Sequence, residues 1–528
     1  MKRAALAITT GLALFAADDL TEGKRWWKHI EFLADDKLQG RNTGSPGHKM
    51  AADYIAQEFE KSGLQAAGTK GYIQPVDFAV RQIDEPNSKV EMIANGGAPE
   101  KLKFGEEVLL SARATTGGPV EAEAVFVGFG LTVPDVKYDD LKGLDLKGKI
   151  VVYLSGGPKD IPGNLKSHFT AERSKFLKAA GVIGTLDIPN PKLMEVPWAR
   201  TAAARLQPSM SLADPKFDEN AGLKVGMRFN PEKAEKLFAG TGHTFAELLK
   251  LVDEDKPLPK FPLGKKFRVS TAVKTSAVES QNVVAMLQGT DPKLKDEYVV
   301  LSAHLDHLGT AQSVEGDRIF NGAMDNASGV AWLLETARRL KESGMKPRRS
   351  LIFVAVTGEE KGLQGSKYFA GNPSVKNAKM VADINMDMVL PLFPLKYLEV
   401  QGLGESSLGN DIRAVCAKNN VEVQFDKEPD KNRFIRSDQY SFIKKGVPAL
   451  AFKFGWVPGS PEEKIFKGWY TDRYHGLSDD LSQPVDLPGA GKFTQILFDL
   501  LSRVANADQK PEWNSDSFFK RFATPGKD

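Results

Sequence analysis

The segment Leu351-Ile352-Phe353-Val354-Ala355-Val356 is apolar without interruption, and Glu359-Glu360 follows almost at once. An unbroken apolar run of strand length does not alternate, so it needs cover on both faces, which a parallel sheet flanked by helices provides. Its neighbours fit the same plan. Glu297 to Ser302 is β-rich, Val381 to Met386 and Val447 to Phe454 are largely apolar, and Ala327 to Lys341 has an amphipathic helical pattern. This alternation predicts an α/β three-layer sandwich with a mostly parallel central sheet. In such a sheet a site forms beyond the carboxyl ends of the strands. His304, Glu359, Asp387 and the loop before His475 all fall there.

A chain of 528 residues exceeds one ordinary core, so two domains are expected. From about Val90 to Thr275 the texture changes to short β-rich runs between Gly/Pro turns, such as Ala124 to Gly130 and Lys149 to Leu154. We divide the chain into a leader, 1–17; the first part of the catalytic domain, 18–88; a β-rich insert, 89–275; the rest of the catalytic domain, 276–507; and a tail, 508–528. Within the tail, Trp513, Phe518 and Phe519 are candidate anchors. The leader has Lys2-Arg3, an uncharged stretch from Ala4 to Ala17, then Asp18-Asp19, which resembles a secretory signal. It is shorter than the ~20 residues of a membrane span. The chain is therefore expected to be exported, to the periplasm or the medium, without stable membrane insertion. Lys+Arg 71 against Asp+Glu 68 leaves a net charge of +3, with no run of like charge, so no nucleic-acid partner is expected. Cys416 is the only cysteine; it excludes an intrachain disulfide and reads as a buried apolar residue on a helix.

Five motifs between His304 and Asp479 carry the chemistry: Ala303-His304-Leu305-Asp306-His307, Met324-Asp325-Asn326-Ala327-Ser328-Gly329, Gly358-Glu359-Glu360, Asn385-Met386-Asp387-Met388, and Tyr474-His475 with Asp479 behind it. Any one could stand on an ordinary surface; their order and flanks carry the reading. His304 ends a strand and offers an imidazole, and Asp306 is near enough to hold the ring's other nitrogen. Asp325 begins a helix, where a carboxylate is favourable as a metal ligand or as a plain cap. Glu359 and Glu360 are adjacent carboxylates beside a buried strand end, where mutual repulsion and lost hydration call for a cation. One of them can bind metal while the other takes a proton from water. Asp387 is a lone carboxylate in an apolar stretch. Together these are the groups of a two-zinc hydrolase. His307 is expected to stand behind the ligands or to be structural.

With these motifs the segment from His304 to Asp479 resembles the co-catalytic zinc aminopeptidase superfamily, which includes leucyl aminopeptidases, glutamate carboxypeptidase II and the transferrin receptor. Upstream, Leu38-Gln39-Gly40-Arg41 with Thr43-Gly44-Ser45-Pro46-Gly47 resembles that family's N-terminal segment. Val125 to Leu154 resembles the protease-associated domain often inserted into it. The resemblance implies a zinc-exopeptidase fold with such an insert, and two Zn2+ ions per chain. It implies that His304 and Asp387 bind one zinc, Glu360 and His475 the other, and that Asp325 bridges them. Glu359 would be the general base, Asp306 and Asp479 would orient the two histidines, and Tyr474 would donate to the oxyanion. The Asp325-Asn326 bond would be cis. Gln439 departs from the pattern, since relatives often carry His there.

The function implied is hydrolysis of N-terminal residues from peptide substrates. A carboxypeptidase is the alternative, and it needs a cationic clamp, for which Arg433 and Arg436 are candidates. A glutaminyl cyclase would use one zinc and lack the insert. A silent binding protein would not need the full ligand set plus a base. The sequence leaves substrate preference and oligomeric state open.

Overall fold

The computed structural model describes the backbone of residues 2–114, 118–217, 222–311 and 316–523, and their side chains from Asp18 onward, residue 430 excepted. Ten strands form the principal sheet. Its centre is parallel as expected: Ser350–Val356, Glu297–His304, Lys379–Asn385 and Ala449–Phe454 pair in that order. The flanks are antiparallel. On one side the long strand Val273–Leu287 joins Ser350–Val356 to Ile73–Ile83, and on the other Tyr397–Gln401 runs against Ala449–Phe454. The sheet is therefore mixed.

Helices cover both faces. On one side Trp26, Ile30, Ile55, Trp332, Phe493 and Leu500 come from four helices and pack against inward residues such as Leu301 and Phe353. On the other side Phe369 and Phe442 cover Val300, Ile352 and Val354. Fully burying each such side chain is worth about 1.5–3 kcal/mol. The helix bounds follow local chemistry. Ser45 accepts from the His48 N–H ahead of Pro46–Lys61, Asp486 accepts from the Gly489 N–H, and Gly344 at φ 64° ends Ser328–Ser343.

A second sheet of eight strands, lying between Lys89 and Ser270, has its own core around Phe126, Val152, Leu186 and Phe267. It also carries helices, Gly163–Ala171 and Phe245–Asp253 among them. One strand from this stretch, Ser209–Leu212, leaves it and pairs with Ile73–Ile83 at the edge of the principal sheet. This stretch is thus stitched to the principal sheet.

The backbone of residues 2–17, read as a leader, continues the helix Lys2–Leu33, while its side chains lie outside the described residues. Among the described residues no helix is long and apolar enough to cross a membrane. Cys416 is fully buried on Leu408–Lys418, and burial pushes its thiol up to about 12. Trp513 and Phe519 anchor the tail beside Phe434 and Ile443, with the Trp513 indole donating to the Gly446 carbonyl at 2.9 Å.

Candidate metal centre

Three of the four central strands deliver groups at their carboxyl ends. Glu297–His304 ends on His304 itself. Ser350–Val356 leads through Thr357 and Gly358 into Glu359-Glu360, and Lys379–Asn385 leads to Asp387. Asp325 lies in the kinked turn before Ser328–Ser343, and its bond to Asn326 is cis. His475, at φ 52°, follows the helix Pro461–Asp472.

These groups converge on two points that share Asp325. His304 Nε2 stands 3.3 Å from Asp325 Oδ1 and 3.5 Å from Asp387 Oδ1. His475 Nε2 stands 3.3 Å from Asp325 Oδ2 and 3.2 Å from Glu360 Oε2. Donors held about 2.0–2.1 Å from a tetrahedral zinc are separated by roughly 3.3 Å, so both spacings match. Asp325 Oδ2, Glu360 Oε1 and Asp387 Oδ1 are buried without a hydrogen-bond partner among the described residues. Uncompensated buried carboxylates are costly, and a divalent cation at each point removes that cost. The donor set fits zinc.

Electrostatics separates the two adjacent glutamates. The imidazole of His475 overcomes burial and holds Glu360 well below the usual carboxylate range. Burial, with the Glu360 charge adding to it and His304 opposing, pushes Glu359 well above that range. The surroundings thus favour the anion at Glu360 and the neutral acid at Glu359.

The supporting shell differs in part from the sequence reading. The Asp306 carboxylate does not touch His304; it accepts from the Glu359 N–H at 3.1 Å and the Thr43 hydroxyl at 2.9 Å. The His304 ring is held instead by the Asp306 backbone carbonyl, 3.1 Å from Nδ1. Asp479, expected to orient His475, accepts from the Met324 and Asp325 N–H groups at 2.9 and 3.0 Å. Both acids therefore fix the backbone that carries a functional carboxylate. The chain geometry explains this: Asp306 faces the strand end next to it, and Asp479 faces the turn holding Asp325. His307, expected behind the ligands, has its Nδ1 2.7 Å from Glu360 Oε1, and among the described residues His307, Asp325 and Glu360 form one of two groups whose donor atoms lie close enough together to hold a metal ion.

Several supporting residues carried no assigned role. Arg41 is buried, and its guanidinium donates to the carbonyls of Leu305, Asn321 and Gly322, which ties the first helical segment to both sides of the centre. Lys453 Nζ donates to the carbonyls of Asp387 and Met388, and burial lowers it to about 8. Gln439, fully buried, accepts from Asn385 and donates to the Phe434 carbonyl, bracing the strand that presents Asp387. The stretch that carries the second sheet contributes directly, through its loops and the helix Trp198–Ala203. Arg113 donates to the Lys361 carbonyl, Arg200 to the Tyr474 carbonyl, and Glu195 pairs with both Arg433 and Arg436. Arg113, Glu195, Arg433 and Arg436 line the same cleft as His304, Glu359 and Tyr474. Arg41 lay in a motif already singled out, whereas nothing in the sequence distinguished Arg113, Glu195 or Arg200 from other surface charges.

This fold, with two donor groups sharing one aspartate, is similar to that of co-catalytic zinc peptidases. Residues 282–501 match the profile of Peptidase family M28. Over 153 residues the chain is 34% identical to "Aminopeptidase NAALADL1" of Mus musculus, covering 28% of this chain and 18% of that protein. It is 32% identical over 175 residues to "Leupeptin-inactivating enzyme 1" of Streptomyces exfoliatus, covering 33% of this chain and 36% of the relative. Both matches thus span well under half of the relative's length. Among solved structures, "Aminopeptidase from Aneurinibacillus sp. strain AM-1" superposes with a TM-score of 0.57 at 20% identity, over 94% of this chain and 97% of that one. The fold is shared across nearly the whole length.

Proposed function

We propose that the chain is an exported two-zinc aminopeptidase that removes N-terminal residues from peptides. One observation carries this reading: the two oxygens of Asp325 face separate donor groups, His304 with Asp387 and His475 with Glu360. Bound at these points, zinc would lower the pKa of a water and polarise the scissile carbonyl. Glu359, whose backbone N–H is pinned by Asp306, takes the proton from that water and returns it to the leaving amine. The Tyr474 hydroxyl donates to the developing oxyanion. Its ring lies against that of His475, tilted by 34° with centroids 4.1 Å apart, and its carbonyl is gripped by Arg200. The insert, read as a protease-associated domain, narrows the cleft and holds these loops.

The carboxypeptidase reading requires free cations for a substrate carboxylate. Arg433 and Arg436 do face the cleft, but Glu195 spans both, at 2.8 and 2.6 Å, and Glu428 takes a further Arg433 nitrogen at 3.0 Å. Their charge is largely answered within the protein, which favours the aminopeptidase. The test is Glu359→Gln. Loss of ~10²–10⁴-fold in kcat with zinc content unchanged supports the assigned base. Full activity in the variant would remove Glu359 from the mechanism.

A further inference from the structure

Arg433 and Arg436 face the cleft that holds His304, Glu359 and Tyr474, and one carboxylate occupies both. Glu195 Oε1 lies 2.8 Å from an Arg433 nitrogen, and Oε2 lies 2.6 Å from an Arg436 nitrogen. A carboxylate spread over two guanidinium groups is also how such a pair would hold an anionic ligand. Burial opposes ionisation of Glu195, but Arg436 and Arg433 outweigh it and hold the group below its ordinary value. It therefore stays an anion, and with Glu428 it balances the two arginines.

The two arginines differ in how firmly they are engaged. Arg433 is buried, meets Glu428 at 3.0 Å, and lies over the Tyr470 ring, 4.4 Å from its centroid. Arg436 keeps 46% of its side chain exposed, and Glu195 is the acid with which it pairs among the described residues. Glu195 arrives from the opposite wall, between the turn Pro191–Leu193 and the helix Trp198–Ala203. Ahead of it Asn190 accepts from the Lys192 N–H at 3.0 Å. Beyond it the Trp198 indole donates to the Gly105 carbonyl at 2.8 Å. A fixed segment thus delivers the acid to the arginines.

We propose that Glu195 is a specificity-determining residue, filling the carboxylate position of the Arg433–Arg436 pair and barring anionic groups of the substrate from that wall of the cleft. The wall is left neutral and suits uncharged residues. Without Glu195 the pair takes a substrate carboxylate in its place. This inference rests on the aminopeptidase reading and names the substrate class of the same site.

Peptides that differ by Glu against Gln test it, because the two side chains differ in charge and hardly in shape. One pair differs at the N-terminal residue, a second at the next residue, and a third sets a free carboxyl terminus against its amide. Wild type should prefer the uncharged members. In Glu195→Gln the ratio of kcat/KM, charged over uncharged, should rise about 10–100-fold in at least one pair, the worth of one charge-assisted hydrogen bond. The pair that responds identifies the carboxylate that reaches the arginines. In Glu195→Gln/Arg436→Gln the gain should vanish. Unchanged ratios in all three pairs, or a gain that survives the second substitution, would overturn the assignment. Should Glu195→Gln fail to fold, Arg436→Gln leaves Glu195 in excess, and the ratio should fall below that of wild type; a ratio that holds or rises there counts against the proposal. Wild type that turns over no peptide would sink the aminopeptidase reading instead. Calorimetry with glutarate needs no turnover: tighter binding to Glu195→Gln than to wild type is expected, and equal binding would refute the role of Glu195.

Discussion

His48 should make the protein selectively sensitive to mild acid. It is fully buried, 2.9 Å from the Thr357 hydroxyl through Nε2, on the segment that leads into Glu359. Burial, reinforced by the Arg41 charge, lowers its pKa to about 3. In the unfolded chain it returns to ~6.5. Because the folded value is the lower one, the native state keeps His48 neutral while the unfolded state takes up a proton. The associated stability is fully present above about pH 6.5 and is lost as pH falls toward about 3. At pH 5 the loss is 1.5 units times 1.36, or ~2 kcal/mol. Replacement by Gln keeps a hydrogen-bonding group and removes the titration. Urea unfolding near pH 7 and pH 5, with chelator present so that metal loss does not enter, reads the difference. Wild type should lose ~2 kcal/mol more than His48→Gln over that interval. Equal losses in the two proteins would refute the claim that His48 is buried neutral.

Other substitutions report on the cleft. Tyr474→Phe removes the proposed oxyanion donor, so kcat should fall ~10²–10³-fold with little change in KM; an unchanged kcat would reassign that role. Arg200→Ala releases the Tyr474 carbonyl from the second sheet, and a displaced catalytic loop can cost ~10²-fold in kcat. Zinc content and the thermal midpoint should hold in that variant, and full activity would make the insert a passive neighbour.

The central strands and the helix after Asp325 were legible because their signals are local: unbroken apolar runs, helical periodicity, and short connections between them. The antiparallel flank was not. Val273–Leu287 is mostly exposed from Val273 to Glu279, where it pairs with Ile73–Ile83, so its composition does not announce a principal-sheet strand. Ser209–Leu212 is only a short strand, and nothing local tells which sheet it joins. The residues that converge on Asp325 were readable from motif order. The partners of Asp306 and Asp479 were not, since sequence adjacency says which residues are near and not which way a carboxylate turns. His307 shows the same limit in reverse. As one histidine close behind another it reads as support, and only the tertiary clamp of Arg41 and Gly322 directs its ring toward Glu360.

Paired peptides test the central claim most directly. One carries a free N-terminus and its twin is acetylated, and each is incubated with zinc-replete protein with and without chelator. The account predicts stepwise release from the free-amine peptide only, abolished by chelator and restored by zinc. Cleavage of both peptides from the carboxyl end, or turnover that persists with all metal removed, would contradict it.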